Sequence, residues 1–85
     1  MDKIQEINLA LKQLLEELTL QPFGLDVSLE SFDAQEAIWM VRMKEHLVPF
    51  SEIEINKASE NKDSLYLALK DLFMDKFQWL TWQSI

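Results

Sequence analysis

The sequence predicts an α+β fold in the order α-β-β-β-α: a three-stranded antiparallel meander with both helices on one face. Three observations predict it. The chain opens with Ile4, Ile7, Leu11, Leu14 and Leu18, which step by three and four. The middle switches to alternation, with Leu25, Val27 and Leu29 against Asp26, Ser28 and Glu30. The end, "SLYLALKDLFMDKFQWL", returns to helical spacing. Eighty-five residues make one domain, 1–85, with a modest core to which every large apolar side chain matters.

The first helix spans residues 2–20. Asp2 caps it or sits in its first turn, where a carboxylate suits the dipole, and Gln21-Pro22 ends it. Leu9, Leu15 and Leu20 widen its apolar stripe enough to cover a sheet. Gly24, the single glycine, serves the turn into the first strand.

The next segment, "DAQEAIWMVRMKEHLVPF", carries two patterns. Asp33 with Glu36 resembles a capping box that would start a helix over 34–47. Ile38-Trp39-Met40-Val41 is rich in strand formers, and Trp39, Val41 and Met43 alternate with Met40, Arg42 and Lys44. The strand reading, over 37–45 with "DAQE" as a hairpin turn, is preferred on charge. The third strand is placed in "PFSEIEINKAS", after a turn at Pro49, with Ile53 and Ile55 inward and Glu52 and Glu54 outward. Arg42 and Lys44 on the central strand then face Asp26, Glu30, Glu52 and Glu54 on its neighbours. Each cross-strand pair of that kind contributes about 0.2–1 kcal/mol.

The last helix follows a cap at Ser59 or Asn61, with Glu60 and Asp63 in its first turn and Leu65, Leu69, Leu72, Phe73 and Leu80 on one broad face. Near its end, Trp79 is expected to be the more buried indole and Trp82 the more exposed. Leu67 and Met74 leave apolar surface beyond what the core needs.

Composition narrows the function. With 48% hydrophobic and 27% charged residues the chain is globular, and without cysteine it has no disulfide or thiolate chemistry. The start has no continuous apolar run, so no signal peptide is expected. The longest apolar stretch, "AIWMV", is too short to span a bilayer. The expectation is a soluble, cytoplasmic protein with no membrane contact. A net charge of −7, with eight dispersed basic residues, disfavours direct nucleic-acid binding and permits a protein partner with a basic surface. His46 has no marked catalytic partner or companion metal ligand. One glycine rules out a phosphate-binding loop. No enzyme activity, cofactor or metal is expected.

The candidate partner-binding residues are Asp26, Glu30, Glu52, Glu54, Glu60, Asp63 and Trp82. Carboxylates spread over an edge and face steer a basic partner. The α-β-β-β-α order resembles the double-stranded-RNA-binding domain. That family's last helix begins with a basic cluster, where this chain has "SENKD", so the resemblance implies topology alone. The acidic "SEIEINKASEN" running into the apolar "SLYLALKDLF" resembles small phage-encoded anti-CRISPR and DNA-mimic inhibitor proteins. That resemblance implies a non-enzymatic acidic inhibitor or modulator that occupies a basic, nucleic-acid-binding groove of a larger protein. The alternative is a homodimeric chaperone-like or assembly module that uses the apolar surface of its last helix. Monomer and homodimer both remain open.

Overall fold

The computed structural model describes the backbone of residues 2–83 and the side chains of residues 2–80. The order is α1 (Lys3–Thr19), β1 (Val27–Asp33), β2 (Ile38–Met43), β3 (His46–Ser51), α2 (Glu52–Ser59) and α3 (Leu65–Gln83). The strands form an antiparallel meander, β1-β2-β3.

α1 starts where Asp2 accepts the N–H of Gln5 at 2.9 Å, leaving one fewer orphan donor in its first turn. It buries Ile7, Leu11, Leu14, Leu15 and Leu18. Beyond it, the Gly24 N–H donates to the Leu20 carbonyl and the Leu25 N–H to that of Leu18. Gly24 has φ +57°, where a side chain would be strained.

Pairing puts Val27, Leu29 and Phe32 of β1 opposite Met43, Val41 and Trp39 of β2, and Val48 and Phe50 of β3 opposite Val41 and Trp39. These side chains share one sheet face and join the buried residues of α1 and α3 in a single core. The β1 register slips between Leu29 and Ser31, so Glu30 is an extra, bulged residue. The bulge lets both Leu29 and Phe32, three positions apart, face inward. Phe32 lies against Trp39 with ring centroids 4.5 Å apart. Phe50, Phe73 and Phe77 continue the aromatic layer into α3.

The strand reading of the middle segment holds. Asp33 does not cap a helix: its Oδ1 accepts from the N–H groups of Gln35 and Glu36 at 2.9 and 3.3 Å, closing the β1–β2 turn. Arg42 does bridge acids on its neighbour, with Nε donating to Glu30 at 3.1 Å and Nη2 to Asp26 at 3.4 Å. Lys44 does not share that role. It lies in the two-residue β2–β3 turn at φ +59°, its ammonium 5.7 Å from the Phe77 ring centroid.

The third strand needs correcting. It is His46–Ser51, with Pro49 inside it, and the segment given to it by alternation is the helix α2. The reason is local. Ser51 and Glu54 form a reciprocal capping box, Glu54 N–H to Ser51 Oγ at 3.1 Å and Ser51 N–H to Glu54 Oε1 at 3.3 Å. Ile55 is fully buried, but Ile53, expected inward, is 81% exposed. Ser64 rather than Ser59 or Asn61 caps α3, its Oγ accepting from the Leu67 N–H at 3.2 Å.

Candidate functional site

Two elements build a concave surface at one edge of the sheet. β3 forms one side of the sheet, and its free edge faces α3 across a groove of ≈ 550 Å³. Leu47, Val48 and Pro49 line the strand wall. Leu72, Asp75, Lys76, Trp79 and Leu80 line the helix wall, and Glu54 closes the groove at the start of α2. The helix wall follows from spacing: positions 72, 75, 76, 79 and 80 stand at i, i+3, i+4, i+7 and i+8, one stripe of a helix.

Trp79 is 63% exposed and Leu47 59% exposed. Trp79, expected to be the more buried of the two tail indoles, is thus an exposed side chain. Leu69 and Phe73 are fully buried, Phe77 stacks on Phe73, and Leu80 packs against the core. Position 79 is rotated by about 100° from position 80. It lines the groove with Leu47, Val48 and Pro49 of β3. Among the described residues the buried indole is Trp39. The Trp82 side chain, named from sequence as a partner contact, lies outside the described residues.

Lys76 organises the groove floor. Its ammonium donates to Glu54 Oε2 at 2.9 Å and to the Pro49 carbonyl at 3.0 Å, and sits 5.1 Å from the Phe50 ring centroid. The ammonium's charge is thus largely used within the protein. Asp75, on the helix wall, is exposed and makes no ion pair among the described residues. The rim is consequently acidic.

The carboxylates named from sequence do not form one face. Asp26 and Glu30 share Arg42 at one end of the sheet. Glu52 and Glu54 begin α2, directly after β3, on the opposite edge of the sheet from β1. Glu60 ends α2, and Asp63 is exposed in the loop to α3. Only Glu54 lines the groove. Leu47, Lys76 and Trp79 were missed as a group. The helical stripe at 72, 76 and 79 was a signal for one wall only; nothing in the sequence joined it to Leu47.

On the far side of α3, the Tyr66 hydroxyl donates to the Glu17 carboxylate and ties α3 to α1. That hydrogen bond, with a lesser effect of burial, pushes the phenol up to about 12. The Lys62 ammonium, 2.5 Å from Asp71, is likewise held above its ordinary range by that hydrogen bond and charge. Among the described residues no helix is long and apolar enough to cross a membrane. Comparison of the chain with protein-family models, curated proteins and solved structures finds no match.

Proposed function

We propose that this chain is a non-enzymatic acidic modulator that binds a basic surface of a larger protein, its contact centred on the groove between β3 and α3. The observation that carries the reading is an exposed tryptophan in a concave apolar site on a chain of net charge −7. Exposed aromatic anchors in pockets supply most of the binding energy of protein interfaces. An excess of negative charge over the whole chain speeds encounter with an oppositely charged partner and rejects others. The dispersed carboxylates Asp26, Glu30, Glu52, Glu60 and Asp63 act in this reading through the long-range field. A nucleic-acid-binding groove is one partner surface with the required charge.

The test is affinity capture from host extract at low and high salt, followed by direct binding of the purified partner. The reading expects one dominant basic protein, released by salt and retained poorly by a Trp79→Ala variant. A salt-insensitive homodimer with no captured partner would replace it with the assembly-module alternative.

A further inference from the structure

We infer, resting on the basic-partner reading above, that the groove takes the apolar side chains of a helical segment flanked by lysine or arginine, and not an added β-strand. A free sheet edge ordinarily invites a strand, because its outward amides lack partners. In an antiparallel ladder, outward amides belong to alternate residues. The Lys76 contact to the Pro49 carbonyl fixes that set on β3 as Leu47, Pro49 and Ser51. Pro49 has no N–H, and its carbonyl is occupied by Lys76. The Ser51 N–H is occupied by Glu54. Leu47 alone among these three keeps an unblocked amide. One residue cannot template a strand.

The side chains along the same edge remain open. Leu47 and Trp79 present apolar surface across the groove from each other, with Leu72 and Leu80 beneath. A segment docking there must satisfy its own backbone while offering apolar side chains at close spacing, and an α-helix does both. The charge of the flanks follows from the rim. Asp75 is exposed on the groove wall and makes no ion pair among the described residues. Lys76 is held by Glu54 and adds little repulsion. A second copy of this chain would carry the same net charge of −7, and the mutual repulsion disfavours self-association through the groove.

The experiment titrates the labelled full chain with three short synthetic peptides and follows its NMR signals. One is a Leu/Lys peptide patterned as a helix, the second has Glu in place of Lys, and the third alternates Val and Lys as a strand. The Leu/Lys helix should move the Trp79 indole and the Leu47 and Leu72 methyl signals. The Glu and Val/Lys peptides should leave them in place. Trp79→Ala should weaken binding by about tenfold or more, the loss expected of an interface anchor. Leu47→Ser provides an independent lesion on the opposite wall should Trp79→Ala fail to fold. Binding of the Val/Lys peptide along the β3 amides overturns the inference, as does Leu/Lys binding that both variants leave unchanged. Either result leaves the basic-partner reading standing. Failure of both basic peptides to bind at all removes the inference and the reading together.

Discussion

α1 and α3 are both long, leucine-rich helices on one face of the same sheet, yet they dispose of their apolar residues differently. α1 buries a single stripe, and Leu9 is the one strongly exposed large apolar side chain within its span. α3 buries Ala68, Leu69 and Phe73 but leaves Leu67, Met74 and Trp79 at 45%, 38% and 63% exposure. A helix with one apolar stripe has one packing surface. A helix with apolar residues outside that stripe exposes surface that the fold itself does not cover, here Trp79 on the groove flank and Leu67 and Met74 on the opposite flank. Surface of this kind is what the proposed partner contact would use.

The contrast is broken most directly by truncation within α3. Phe73→Ala should destabilise by about 3–5 kcal/mol, the range for removing a fully buried aromatic ring. Trp79→Ala should stay within about 0.5 kcal/mol, as exposed substitutions do. Urea denaturation of the two variants reads both. Equal losses would make Trp79 part of the core and α3 no different from α1.

A smaller effect sharpens the comparison on the sheet beneath. Arg42→Glu removes the contacts to Asp26 and Glu30 and sets three carboxylates together on the β1–β2 pair. The expected loss is about 1–2 kcal/mol, because the contacts are partly exposed but the replacement is repulsive. Thermal melts at low and high salt should show the loss shrinking as salt is added. A salt-independent loss would mean that Arg42 acts through the packing of its stem and not through charge.

The smallest effect concerns the link between the two helices. Tyr66 donates to Glu17, and its folded-state pKa is about 12 against an ordinary 10.0. The folded form therefore holds the phenol proton more tightly than the unfolded chain does. The contribution is fully present below pH 10 and is lost as pH rises towards 12. The difference in melting temperature between the wild type and Tyr66→Phe should narrow across that window. A difference that stays constant would show that the hydroxyl does not hold α3 to α1.

Much of the fold could be read from the chain because periodicity and burial coincide there. The α1 stripe and the alternation around Trp39, Val41 and Met43 each report a face that meets the core. The failures lie where a local signal opposed the pattern. "SEIEI" alternates like a strand, but Ser51 and Glu54 close a capping box and start a helix. In "DAQE" the pattern wins instead: it has the spacing of a capping box, yet the expected hairpin turn forms, closed by the Asp33 carboxylate. The same residue types thus serve opposite ends of the grammar, and chain neighbours alone do not separate them. Little of the groove was legible, because it joins two elements about 30 positions apart, and Leu47 and Trp79 carry no mutual signature in one sequence.

The bulge at Glu30 bears on how this chain tolerates changes of length. Leu29 pairs with Val41 and Ser31 with Met40, so Glu30 stands between them without a partner of its own. In a regular strand, losing a residue turns every later side chain to the opposite face. Here, deleting Glu30 leaves Leu29, Ser31 and Phe32 in unbroken alternation with their present partners, at the expense of one contact to Arg42. Natural or engineered variants one residue shorter are thus admissible in the middle of β1, at a point where a length change would ordinarily be confined to turns.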